Sequence, residues 1–238
     1  MKTVWLLLKG EINRLFKYKI LWFGIAVSLI WVLVLALSNK QEATALMPLL
    51  LVTDTGLMSI ILLASSFYYE KQEGSIKTLF VAPISLTQLL TAKVISSLLS
   101  GIISMVLIGL GMLIVHGVFI NYALALIYVI LSTLAHVALG FVLVFYSPDF
   151  MSFLMKYMGL AIFLMVPMLL VLTDVIPADL EILALLSPTY ATKFLVESLF
   201  VAKDWWVILF GVFDMVIIPG LLYPLVIYPK FKQYAVKG

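Results

Sequence analysis

The feature that most constrains this chain is a succession of apolar runs, each long enough to cross a bilayer and each cut short by a polar or proline-containing break. A helix needs about 20 predominantly apolar residues to span the hydrocarbon layer. The sequence offers six such runs, at about 20–37, 47–69, 94–115, 122–146, 157–173 and 205–228. Inside lipid their amides and carbonyls would find no water to bond, so each run must be helical. Composition agrees, with 64% hydrophobic and only 11% charged residues, against roughly 25% charged in a soluble domain. Six crossings in 238 residues leave little room for a soluble domain, so we read 1–238 as one all-α polytopic membrane domain.

The breaks carry the rest of the topology. In residues 1–19, Trp5, Leu8, Ile12, Leu15 and Phe16 share a helical face, while Lys2, Lys9, Asn13, Arg14 and Lys17 fall mostly on the other. That pattern predicts an interfacial helix lying along the membrane before the first crossing. No small-residue cleavage pattern follows Leu37, so this start is expected to be retained. Lys40, Gln41 and Glu42 mark water on the far side, and Tyr68 and Tyr69 sit where aromatic rings favour the interface. Residues 116–121 form a turn, Ser147-Pro148-Asp149 ends the fourth span, and Pro167 kinks the fifth. The connection 174–204 contains two short apolar stretches, 178–186 and 190–200, divided at Ser187-Pro188. They are expected to be re-entrant or interfacial helices on the outer side. The last span starts at Trp205-Trp206 and ends near Tyr228-Pro229, before a basic tail.

Lys and Arg flanking the spans are retained in the cytoplasm. With the N-terminus inside, only Lys40, Lys193 and Lys203 of the 15 basic residues fall outside. Both termini are therefore expected in the cytoplasm of a cell-membrane protein, and segment 70–93 faces the cytoplasm as well.

That segment, EKQEGSIKTLFVAPISLTQLLTAK, is a built loop. Gly74 and Pro83 break it, and Ser85 with Gln88 forms a capping box that starts a new helix. Between the breakers, Glu73 to Phe80 forms a short amphipathic piece with Ile76, Leu79 and Phe80 on one face. The order Glu70, Glu73, Gly74, Ser75, Leu79, Pro83, Ile84, Ser85, followed by Ala92-Lys93, resembles the loop after the second span in permease subunits of the type-2 ABC exporter family. Ser75 stands where that family often has Thr, which keeps the hydroxyl. The six spans and Ser187-Pro188-Thr189-Tyr190 before the last one fit the same outline, and the size is most like small bacterial drug-export permeases.

The resemblance implies that Glu70, Glu73, Gly74, Ile76, Leu79, Phe80, Pro83 and Lys93 form or frame a coupling helix that docks on a separate cytoplasmic ABC ATPase. It also implies pairing with a second permease, identical or homologous, and outward movement of a hydrophobic or amphipathic cargo. Read from the residues alone, the same loop fits a helix that lies on the membrane surface and couples to nothing.

This chain contains no G-x-x-x-x-G-K-[ST] phosphate loop, so ATP and Mg are expected on the partner subunit and no cofactor on this one. The absence of cysteine excludes disulfides and thiol chemistry. No H-E-x-x-H or G-x-S-x-G occurs, and no basic footprint for nucleic acid is visible, so we do not expect an enzyme. Within the crossings the ionisable residues are Asp54, His136 and Asp214. They are candidates for polar positions on a substrate path, and for the two aspartates the alternative is interhelical glue. His136, lacking partner ligands, reads as a neutral packing residue. Ser97, Gly101, Met105 and Gly109, with Ser100 and Ser104 beside them, allow a close helix contact within the chain or between copies. Two rival classes stand beside the exporter: a secondary transporter driven by protons through Asp54 and Asp214, and a membrane scaffold or sensor without flux.

Overall fold

A computed structural model of the chain describes residues 2–75, 84–177 and 180–237, with side chains from Thr3 to Gln233 within those ranges. The described residues are helical, without strands. In chain order they form α1 (Lys2–Lys17), α2 (Ile20–Leu37), α3 (Lys40–Gln72), α4 (Leu86–His116), α5 (Tyr122–Phe145), α6 (Phe150–Leu172), α7 (Glu181–Ala184), α8 (Pro188–Glu197), α9 (Trp205–Leu222) and α10 (Tyr228–Lys237). A wide π-turn over Tyr223–Ile227 joins α9 to α10. Six of these rods, α2 to α6 and α9 with its continuation, are long and apolar enough to cross a membrane, as the runs predict.

Several boundaries move. The second span does not wait until residue 47: Asn39 caps α3, accepting from the Glu42 amide while Glu42 accepts from the Asn39 amide, so Lys40, Gln41 and Glu42 form its first turn. Asp54 therefore sits fourteen residues into a 33-residue rod, on the order of 20 Å along it at helical rise, twice the depth that a start at 47 implies. Likewise Asp149 caps α6, which puts Lys156 inside the helix with its ammonium reaching back to the Tyr146 carbonyl. That is how a long cation near a span end stays solvated. The last rod runs past Tyr228-Pro229 to Lys237, and Phe231 is buried against the aromatic cluster of α3, α5 and α6.

α5 is the axis of the bundle, packing against α3, α4 and α9. α3 makes a π-turn at Thr53–Leu57, and its displaced carbonyls are taken up from neighbours. Thr133 Oγ1 donates to Thr55 O at 3.2 Å and Tyr157 OH to Leu57 O at 3.3 Å. Two glycines set helix separations that any side chain would prevent. A Cβ on Gly56 would lie 2.9 Å from the His136 ring, and one on Gly101 2.7 Å from Thr133 Oγ1. The small-residue face of the third span thus packs within the chain, on α5 and α2.

The connection before the last span also resolves. α8 begins at Pro188, a proline well suited to a first helical position, and nine of its ten residues are buried among α3, α5, α6 and α9. It is a plug inside the bundle, not a helix on its surface. Ser187 Oγ donates to Leu164 O at 2.7 Å, beside the carbonyl that Pro167 leaves without its amide.

Candidate functional site

Two polar constellations lie inside this apolar bundle, one at the end where α1 packs and one half-way along. The first begins with an acid on the wrong side of an amphipathic helix. Leu8, Glu11 and Leu15 are the buried face of α1, whereas Trp5 and Phe16, which the helical pattern groups with Leu8 and Leu15, are 65% and 45% exposed beside Leu6 and Trp22. Glu11 is only 2% exposed because it meets cations there. Arg14 Nη2 donates to Glu11 Oε1 at 2.8 Å, and Lys93 Nζ lies 3.0 Å from the same oxygen. Lys93 also donates to both oxygens of Glu70, at 2.6 and 2.7 Å. Arg14 Nε closes the ring 3.0 Å from Glu70 Oε1, and the Lys93 ammonium stands 6.0 Å from the centre of the Phe67 ring.

Two acids and two bases make a neutral quartet, buried except for Arg14, whose side chain is 21% exposed. Burial pulls the Glu11 carboxyl upward, but Lys93 and Arg14 outweigh it and hold it below its ordinary range. Burial would lower Arg14, and Glu11 and Glu70 more than offset it. Such a set is stable only while every member is present, since removing one strands the others without water.

The quartet ties three elements together: α1, the last turn of α3 and the second turn of α4. The loop of segment 70–93 therefore leaves and returns through it. Gly74 has φ 69, a left-handed conformation that costs a residue with a Cβ about 1–2 kcal/mol, and Ser75 Oγ donates to Glu70 O. Glu73 is exposed and paired with Lys17 of α1 at 2.9 Å. At the far foot Ser85 and Gln88 form the predicted capping box. Ile76, Leu79, Phe80 and Pro83 lie outside the described residues. The structure thus separates the loop residues it describes. Glu70 and Lys93, expected among the coupling residues, are 0% and 3% exposed and tie α3, α4 and α1 together, whereas Glu73 and Gly74 remain at the surface.

Half-way along, Asp54 is 4% exposed. Its Oδ2 lies 2.5 Å from Ser28 Oγ of α2, which is also 3.0 Å from Ser104 Oγ of α4 and 3.1 Å from Gly24 O. His136 is fully buried on the other side of the same π-turn, against Gly56. Its Nδ1 is 2.8 Å from Ser132 O and its Nε2 3.2 Å from Thr189 Oγ1 of α8. Both ring nitrogens are thus engaged by neighbours within the bundle. Asp214 stands apart on α9, which packs mainly on α5 and α8. It is 7% exposed, and its Oδ2 has no hydrogen-bond partner among the described residues. Asp54 and His136 thus flank one π-turn, while Asp214 belongs to another helix.

Sequence reasoning missed Glu11 and Arg14. The available signal was that Glu11 is the only acid before Glu42 and sits three and four residues from Leu8 and Leu15, on the apolar side.

No family model matches the chain, and no curated protein sequence matches it.

Proposed function

We propose that this chain is the membrane-spanning permease subunit of an ATP-driven ABC exporter of the type-2 kind, moving a hydrophobic or amphipathic cargo outward. ATP and Mg would be bound by a separate cytoplasmic ATPase, and the permease would work with a second copy or homologue in the cell membrane, its termini on the ATPase side. The observation that carries the reading is the quartet at the feet of the loop. A force applied to 73–85 would not dissipate in a slack connection, because both feet are locked through Glu70 and Lys93 to each other and to α1. The α3 foot leads straight up the rod that carries the π-turn at 53–57. The coupling segment proper is Glu73 to Phe80, and Glu70 and Lys93 transmit rather than dock.

Co-purification from the native membrane tests the class: a stoichiometric P-loop ATPase is expected, and its repeated absence would remove the engine. Within the chain, Gly74→Pro and Glu73→Lys are expected to leave folding intact while abolishing stimulation of the partner's ATPase by cargo. Normal coupled turnover in both variants would refute the docking role. Glu70 is unsuitable for that test, since reversing a buried charge attacks folding first.

A further inference from the structure

Between the quartet and Asp54, α4 presents a column of buried hydroxyls, Ser96, Ser97, Ser100 and Ser104, over about 16 Å of helix from Lys93 to Ser104 at helical rise. A stripe of small residues is ordinary in membrane helix packing, but this one borders two small, partly enclosed cavities. The cavity nearer α1 is lined by Glu11, Ser66, Lys93, Ser96, Ser97 and Ser100, and the deeper one by Asp54, Ser59, Ser100 and Ser104 among others. Each measures about 10 Å³, close to the space one water needs, and Ser100 and Leu62 border both.

Two buried polar atoms on residues lining the cavity near α1, Glu11 Oε2 and Ser66 Oγ, have no hydrogen-bond partner among the described residues. Ser96 and Ser97 both donate to Lys93 O, at 2.8 and 3.0 Å, which leaves their oxygens free to accept. A water there would satisfy groups that otherwise cost free energy.

The hydrogens around Ser28 point the same way at the deep end. Its hydroxyl has one hydrogen and three neighbours at bonding distance: Gly24 O, which can only accept, Ser104 Oγ and Asp54 Oδ2. All three contacts become hydrogen bonds at once only if Ser28 donates to Gly24 O and accepts from Ser104 and from Asp54. A proton on Asp54 Oδ2 supplies that second donor; without it, Ser28 donates to Asp54 and its contact with Gly24 O goes unused. An uncharged acid is also what an apolar bundle without a nearby cation favours.

We infer that Asp54 is a protonated acid wired by internal water to the α1 end of the bundle, the two cavities holding the waters and the serine column guiding them. Exchange breaks the Asp54 O–H bond, passes the proton to the adjoining water as hydronium, and re-forms the acid with a proton returned along the same chain, with no net change. The titratable groups along the route are Glu11, Arg14, Glu70 and Lys93 at one end and Asp54 at the other. His136 touches the same π-turn, but both its ring nitrogens are engaged elsewhere. The inference does not depend on the exporter reading.

Infrared difference spectroscopy of the full-length chain in lipid nanodiscs tests it. Asp54→Asn is expected to delete one protonated-carboxyl band, and that band is expected to shift on transfer to D2O. Ser100→Val, which fills the shared wall, and Ser66→Val, which fills only the α1-end cavity, are each expected to slow the shift about tenfold or more, a modest rise in barrier. Ser100→Ala is expected to exchange at the wild-type rate. Should either valine variant fail to fold, Ser97→Val reads the same route. If Asp54→Asn deletes no protonated-carboxyl band, or if exchange in the folded valine variants is as fast as in wild type, the inference is overturned. Slowing by Ser100→Val but not by Ser66→Val would overturn the opening toward α1.

Discussion

The two polar constellations handle the same difficulty, polarity in an apolar bundle, by opposite means. At the α1 end the acids are matched by an equal number of cations within 3.0 Å, and the cost of desolvating four charges is offset by their mutual attraction. Around Asp54 the neighbours are hydroxyls and a carbonyl, each able to share a hydrogen bond but none able to cancel a charge. Near the end of a span, ion pairs lock elements together and tolerate little change. Deep within it, neutral hydrogen bonds permit close packing and rearrangement at low cost.

The largest expected effect lies at the quartet. Lys93→Met leaves Glu11 and Glu70 with Arg14 alone and should cost about 3–5 kcal/mol of stability, the usual penalty for stranding buried charge. Denaturation in detergent measures it, and adding Glu70→Gln should recover part of the loss. A Lys93→Met variant as stable as wild type would erase the contrast between the two sites.

At the deep site the expected loss is smaller. Ser28→Ala removes the hub that joins α2, α3 and α4 and should cost roughly 1 kcal/mol, the scale of an interhelical hydrogen bond in a membrane. A loss as large as that of Lys93→Met would mean that Asp54 carries charge after all.

Acid sharpens the comparison further. Glu11 is held below its ordinary value of 4.5, so near that pH the unfolded chain binds more protons than the folded one. Its contribution is complete above pH 4.5 and is lost as pH falls through the lowered value. Melting curves between pH 6 and 3 should therefore show a steeper acid loss in wild type than in Glu11→Gln. Parallel curves would show that the carboxyl is not held by its cations.

The smallest effect is expected at the exposed Lys17–Glu73 pair, where water and salt screen the charges. Lys17→Ala should not move Tm measurably, which makes it the control that separates surface charge from the buried quartet.

Legibility in the sequence followed the same division. The capping box at Ser85 and the breaks at 116–121 and at Ser147-Pro148-Asp149 could be read because each depends on residue type and local spacing. Asp54 was placed too shallow because Asn39 starts a helix three residues ahead of Glu42, within a stretch that looks polar enough to be a loop. Hydrophobicity groups Trp5 and Phe16 with Leu8 and Leu15, but it cannot foresee that an acid on that side is drawn inward by Lys93, eighty-two positions away. The position of α8 could not be read either. A ten-residue apolar helix suits a membrane surface and a bundle interior equally well, and only the hydroxyl partners offered by α5 favour the interior.

By itself the sequence determined that the chain crosses a membrane as about six helices, since in lipid the backbone has few ways to satisfy its own hydrogen bonds and length counts the crossings. Only the tertiary structure decided which polar groups meet: that Glu11, Arg14, Glu70 and Lys93 close one ring, that Asp54 faces serines while His136 faces threonine and a carbonyl, and that Asp214 stands apart. Those pairings depend on the rotation and depth of each helix. Both are set by side chains from other helices, which no local pattern records.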